Sequence, residues 1–286
     1  MTTQQKQMVG VAVASLVLGI AGMILIGPLG SIPAVICGHI AKSRIKKNPD
    51  VLTGGGMALA GLILGYVQIG FIVIIIPLLV IPMVLPAIQG ATTKANATST
   101  GNNGSQVWKA LYSDNLERDQ NGDATIWPEK NGKIDVGIDG NEDMQSYATS
   151  TEYFKICSQA GAFSGISPSI LSASGIGSAT AWSKETDRVE FDAKYNAWCV
   201  VVPDSSSYFS PETPLFFTRN FTGGKTIDTI TGLLKGEKPF GNKLGIVITY
   251  GGSVKIITDK LAKKDLQGYF NPLNDDFEFL KPSNSN

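Results

Sequence analysis

Two long apolar runs without a single charged residue constrain this chain more than any other feature. The first, Met8 to Ile26, reads "MVGVAVASLVLGIAGMILI". It is close to the ~20 residues that a helix needs to cross a ~30 Å hydrocarbon layer. The second reaches from Met57 to Ile88. Up to Gly90 the only charged residues are Lys6, Lys42, Arg44, Lys46, Lys47 and Asp50, and every other acid lies at or beyond Asp114. A chain so divided reads as a membrane part followed by a water-exposed part.

A cleavable export signal does not fit the first run. Its apolar core is too long, only Lys6 precedes it, and no small-residue cleavage site with a polar exit follows. The reading is two retained helices in a hairpin, spanning about 8–27 and 57–83. Gly27-Pro28 breaks the first, and "SIPAVICGHIAKSRIKKNP" leads into a basic loop. Lys42, Arg44, Lys46 and Lys47 in that connection place it in the cytoplasm by the positive-inside rule, so both termini are expected outside. Gly10, Ala14, Ser15, Gly19 and Gly22, with Gly61 and Gly65, give small residues at helical spacing, which suits close packing inside the hairpin or dimerisation.

The second run exceeds one ordinary span and carries Pro77, Pro82 and Pro86. Proline lacks an amide donor, so a tilted, kinked helix is expected, with its outer end at Pro82 to Pro86. The following "QGATTKANATSTGNNGSQ" is rich in Gly, Ser, Thr and Asn, and reads as a flexible or partly helical stalk over 91–104. Asn96 and Asn103 there fit short glycosylation sequons.

The whole chain holds 24 Lys and Arg against 24 Asp and Glu. Setting aside the five cations and one acid of the membrane part leaves 19 against 23. That mild acidity argues against nucleic acid, which needs clustered cations. Cys157 and Cys199 are available to pair in an oxidising compartment, or remain free thiols.

The expected soluble domain covers 105–286. Ser105 is placed to cap a helix through "QVWKALYSDNLERD", with Val107 and Leu111 on its buried face. Thr149 and Glu152 have capping-box spacing for a second helix, which Gly161 would end. Strands are expected at Val189–Phe191, Trp198–Val202 and Leu215–Thr218. "LGIVITYGGSVKIIT" reads as a hairpin with Gly251-Gly252 as a two-residue turn. A long helix followed by an antiparallel sheet makes the water-exposed part α+β.

Catalytic patterns are sparse. His39, the only histidine, lies in the membrane part, so Ser-His-Asp and Cys-His chemistry and His-based zinc sites are excluded from the rest. Ser164 in "GAFSG" does not fit a nucleophile elbow, and "SGIGSA" lacks the strand, helix and downstream acid of a dinucleotide site. The reading is therefore that the chain is not an enzyme. Asp119, Asn121 and Asp123 alternate as calcium ligands do, yet Ala124 and Lys130 replace the Gly and Glu of a complete loop. They form the one candidate calcium site, weighed against a solvated turn. Trp198, Phe216 and Phe217 fit a binding face or, as strand aromatics more often do, the core.

Two resemblances rest on quoted stretches. "ASLVLGIAGMILIGPLGSIPAVICGHIAKSRIKKNPDVLTGGGMALAGLILGYV", Ala14 to Val67, resembles the small bacterial two-helix membrane module known as domain of unknown function 4190. From Leu85 on, "LPAIQG", "ALYSDNLERD", "IWP", "TSTEYFK", "NAWCVV", "PLFFTRN" and "KPFGNKLGIVITYGGSVKII" resemble prepilin-like proteins and the pseudopilins of type II secretion. The second resemblance implies a pseudopilin-like head on a helical stalk. Gly70-Phe71 imitates the junction cleaved in prepilins, but Ile75 stands where those carry Glu, so a retained anchor is expected. The combined expectation is a two-pass protein of the bacterial inner membrane. Its C-terminal domain would lie outside the cytoplasm and serve assembly or protein interaction through self-association or secretion or pilus-like components. The alternative is a sensor that binds calcium or another ligand.

Overall fold

The computed structural model describes residues 7–22, 28–130, 132–137, 143–203, 210–223, 230–269 and 277–283. The chain divides into two compact units, Met1–Gln89 and Gly90–Asn286.

The first unit is helical. After β1 (Gln7–Met8) come α1 (Gly10–Ala21), α2 (Pro28–Lys47), β2 (Leu52–Thr53) and the start of α3 (Gly55–Asn121). The short strands β1 and β2 pair in parallel. The first helix ends before Pro28, as expected, but the residues expected to lead into a basic loop are a helix of 20 residues. The physical reason lies at its two ends. Pro28 in the first turn gives up an amide that would lack a partner there anyway, and its fixed φ suits a helix start. Arg44, Lys46 and Lys47 occupy the last turn, where unpaired carbonyls favour cations. Of the expected 8–27 span, α1 covers 12 residues, and Met23–Gly27 lie outside the described residues.

Small residues let these helices meet. A Cβ on Gly30 would stand 2.6 Å from the Gly22 Cα, and one on Gly38 would stand 2.6 Å from Leu62 Cγ. Gly61 abuts Ser15 in the same way. Ser15 Oγ donates to the Ala34 carbonyl at 2.8 Å, and Gln68 Nε2 donates to the Gly19 carbonyl at 2.7 Å. The buried side chains here include Ala12, Ser15, Ala34, Ala41 and Ala58, while Val17, Ile36, Ile63 and Tyr66 face outward.

Helix α3 runs 67 residues and continues through Pro77, Pro82 and Pro86. Each proline removes an amide, so the carbonyls of Val73, Leu78 and Pro82 lose their usual donors. Its apolar stretch has a mean hydropathy of 2.9 over 18 residues, none of them buried. It is the one helix among the described residues long and apolar enough to cross a membrane, which suggests a membrane protein.

The second unit begins within the same helix, whose polar stretch has its own packing face. Ala97, Thr100, Gly104, Val107 and Leu111 recur at helical spacing and are buried. The glycines of "GNNG" read as flexible in sequence but mark close approach: a Cβ on Gly104 would stand 2.6 Å from Trp198 Cη2. Residues 91–104 are accordingly helical throughout, and Ser105 lies inside the helix rather than at its cap.

A small antiparallel pair, β3 (Lys133–Asp135) and β4 (Met144–Ser146), precedes α4 (Ser150–Gln159). Thr149 and Glu152 form the expected capping box, and Gly161 follows at φ 101°. The main sheet contains β5 (Trp198–Val202), β6 (Pro214–Thr218), β7 (Leu244–Thr249), β8 (Val254–Thr258) and β9 (Glu278–Leu280) in the order β8-β7-β6-β5-β9, antiparallel throughout. Val200, Val202, Phe216, Ile246 and Ile248 enter one core with α3 and α4 residues. Cys199, Val201, Phe217, Val247 and Ile257 enter another, to which α5 (Asp259–Tyr269) adds Ala262. With both faces covered, the central strands read as continuous apolar runs rather than alternating ones.

Two local expectations need correction. Val189–Phe191 forms no strand, only an isolated bridge between Ala181 and Glu190. The Gly251-Gly252 hairpin closes through a three-residue turn instead of a two-residue one. Thr249 N donates to the Ser253 carbonyl at 3.0 Å, and Gly252 N donates back to the Thr249 carbonyl at 2.9 Å. Only Gly252, at φ 76°, needs glycine's backbone freedom, as this longer turn requires. Gly251 is required for space, since a Cβ there would stand 2.8 Å from the Pro211 carbonyl oxygen.

Candidate functional site

The candidate calcium ligands sit at the end of α3. Asp119 and Asn121 fall in its last turn, Asp123 follows it, and all three are exposed. Gly122, at φ 79°, turns the chain. Asp123 N donates to the Arg118 carbonyl at 2.9 Å and Gly122 N to the Asp119 carbonyl at 3.3 Å. These crossed bonds satisfy carbonyls that a helix end leaves unpaired, the Schellman arrangement. The backbone here is a helix stop, and the three exposed side chains take no part in its bonds. Among the described residues, no group of three or more His, Cys, Asp or Glu side chains is arranged to hold a metal.

Arg118 has a structural assignment. Its Nε donates to Asp114 Oδ2 at 2.7 Å and its Nη2 to the Ala160 carbonyl at 2.8 Å, which ties the end of α3 to the end of α4. Trp198, Phe216 and Phe217 are fully buried core residues. Cys157 and Cys199 are free and buried in separate clusters. His39 Nε2 lies 2.9 Å from Tyr66 Oη in the first unit.

The second unit has grooves that were not legible in sequence, and one of them gathers cations. Strand β5 runs antiparallel to both of its neighbours, so β6 and β9 point the same way and end beside the start of β5. Arg219 follows β6, Lys281 follows β9, and Lys194 lies in the 3-10 turn Ala193–Tyr195 just before β5. These three cations, far apart in sequence, line a groove of about 380 Å³ with Ala193, Leu234, Glu237 and Pro282. Asp192 Oδ1 fixes the turn by accepting from Ala193 N at 2.7 Å.

A buried polar network holds the walls of this groove. Asn196 Nδ2 donates to Ser150 Oγ and to Thr151 Oγ1, each at 3.1 Å. Ser150 Oγ donates in turn to the Trp198 carbonyl, and Thr151 Oγ1 to the Pro282 carbonyl, both at 2.7 Å. The Arg219 guanidinium is pinned on two sides. Nη1 reaches the Ala193 and Asn196 carbonyls at 3.3 Å, and Nε lies 2.9 Å from Glu237 Oε1 without the alignment of a hydrogen bond. Nearby, burial pushes the Cys199 thiol up to about 12, although Lys281 and Arg219 pull it the other way. A thiol so raised is held in its protonated form.

Part of the N-terminal unit matches a described family. Residues 11–75 match the family described as Domain of unknown function (DUF4190). The DUF4190 match covers α2, most of α1 and α3 up to Ile75. The packing glycines Gly19, Gly22, Gly30, Gly38, Gly61 and Gly65 all fall inside it. No curated protein matches the chain, and no solved structure does.

Proposed function

We propose that the chain is a non-enzymatic, membrane-anchored protein that presents its C-terminal α+β unit for assembly or protein interaction. One observation carries the reading: the most apolar stretch of α3 has no buried residue while the same helix sends Ala97, Val107 and Leu111 into a water-type core. So large an apolar surface is costly in water and at ease in hydrocarbon. The reading takes the apolar stretch of α3 as the span that carries the second unit. Because β1 pairs with β2, the start of α1 lies on the same side as the basic end of α2, so the outside N-terminus expected of a two-pass hairpin is not kept. Lys42, Arg44, Lys46 and Lys47 at the end of α2 then face the cytoplasm, and the second unit faces away from it in a bacterial inner membrane. The succession of long helix and antiparallel sheet supports a pseudopilin-like head, and with it self-association or secretion-related partners.

Membrane fractionation and a reporter fused after Asn286 test this reading. The protein is expected to stay with membranes after an alkaline carbonate wash, and the reporter to be active only in its extracytoplasmic form. Cytoplasmic reporter activity would overturn the topology. A mature N-terminus at Phe71 would replace the retained anchor by prepilin-like processing.

A further inference from the structure

The groove at the start of β5 concentrates positive charge in a part of the chain that is acidic overall. Lys194, Arg219 and Lys281 face one carboxylate, that of Glu237, whereas residues beyond Gly90 carry 19 Lys and Arg against 23 Asp and Glu. Three further observations separate it from an ordinary solvated face. It is concave, with a volume within the range of roughly 300–1,000 Å³ typical of small-molecule sites. Leu234, Pro282 and Ala193 give it apolar walls. The guanidinium of Arg219 is held by two backbone carbonyls and Glu237, leaving Nη2 as the edge with donors to offer.

From this we propose that the groove is a binding site for a small dianionic molecule, bearing a phosphoryl group or a pair of carboxylates. Arg219 Nη2 supplies a charge-assisted donor, because Nη1 is held by two carbonyls and the ion pair with Glu237 fixes the plane, so little entropy is lost on binding. Lys194 and Lys281 line the same groove and add two ammonium groups. The Lys194 ammonium rests over the Tyr195 ring at 4.9 Å, on the side of a neighbouring groove that Glu190 and Asp192 also line, and has to swing from there to meet a ligand. Two lysines plus an arginine partly neutralised by Glu237 leave an excess of two positive charges, which matches a dianion better than a monoanion. The site uses nothing from the membrane reading, so either can fail alone.

Calorimetric titration of the full-length protein in detergent micelles at low ionic strength tests the proposal, with inorganic phosphate and succinate as separate probes. Saturable binding of at least one, with a Kd of about 1 mM or tighter, is expected. The double variant Lys194→Gln/Lys281→Gln should bind roughly tenfold or more weakly. Lys255→Gln, at a lysine already paired with Glu212 at 3.1 Å, should bind as the parent does. Tighter phosphate binding assigns a phosphoryl ligand, and tighter succinate binding a dicarboxylate. Absence of saturation with both probes overturns the proposal. So does equal affinity in the parent and the double variant, once tryptophan fluorescence shows that the variant is folded.

Discussion

The two units solve the packing problem in opposite ways. In the first, the interior is made of Ala12, Ser15, Gly19, Ala34, Gly61 and Gly65, and the large apolar side chains point outward, with Phe71 65% and Leu79 68% exposed. In the second, Trp198, Phe216, Phe217 and Tyr153 fill the interior at 1% exposure or less. In water, large apolar residues gain by burial, at about 25 cal/mol per Å², so aromatic cores form. In hydrocarbon that gain vanishes, and helices are held by close backbone approach and a few hydrogen bonds such as Ser15 to Ala34. The difference teaches that a single chain can carry both patterns, each telling which solvent its surface suits.

The strongest way to break the contrast is to remove a large side chain from each unit. Trp198→Ala should cost the second unit about 3–5 kcal/mol, because a fully buried indole leaves a cavity against Gly104. Phe71→Ala should cost less than about 0.5 kcal/mol. All four tryptophans lie in the second unit, so denaturation followed by the fluorescence of Trp108, Trp127 and Trp182 reports it directly. A small loss for Trp198→Ala would undo the comparison.

Enlarging small residues reverses the roles. Gly61→Leu should destabilise the helical unit by roughly 1–3 kcal/mol, since its side chain would enter Ser15. Gly70→Leu, where nothing stands within 4 Å, should leave it unchanged. Thermal loss of helicity in detergent, read by circular dichroism, distinguishes them.

A pH experiment sharpens the account of the aromatic core. The Cys199 thiol ordinarily ionises near 9.0 and is pushed up to about 12 by burial. The folded state therefore keeps a proton that the unfolded state releases. The thiol's contribution to stability is complete below pH 9 and is lost as pH rises toward about 12. Cys199→Ala should make the alkaline decline shallower. Both Cys157 and Cys199 should resist alkylation at pH 8 until denaturant is added, and rapid native labelling would contradict their burial. The smallest effect expected is that of calcium. The Asp119–Asp123 turn is closed by backbone bonds, so added calcium should leave the melting temperature unshifted. A shift that disappears in Asp119→Asn/Asp123→Asn would make that turn a metal site after all.

Much of the framework was legible because its signals are local. The charge-free runs, the Thr149–Glu152 capping box, Trp198–Val202 and the two halves of the β7–β8 hairpin follow from short-range patterns. Pro28 does separate two helices, as expected; the stretch after it misled because basic residues that read as a loop stand equally well in a helix's last turn. "GNNG" misled because glycine marks both mobility and close contact, and only the presence of Trp198 opposite Gly104 decides which.

The candidate groove was illegible for a different reason. Lys194, Arg219 and Lys281 are separated by long stretches of sequence and carry no motif. Sequence alone determined where the chain changes its preferred solvent, because charge and apolarity are carried by each residue wherever it lies. Tertiary structure decided which cations meet, because that depends on the strand order β6-β5-β9, which brings the ends of two parallel-running strands to the start of the one between them.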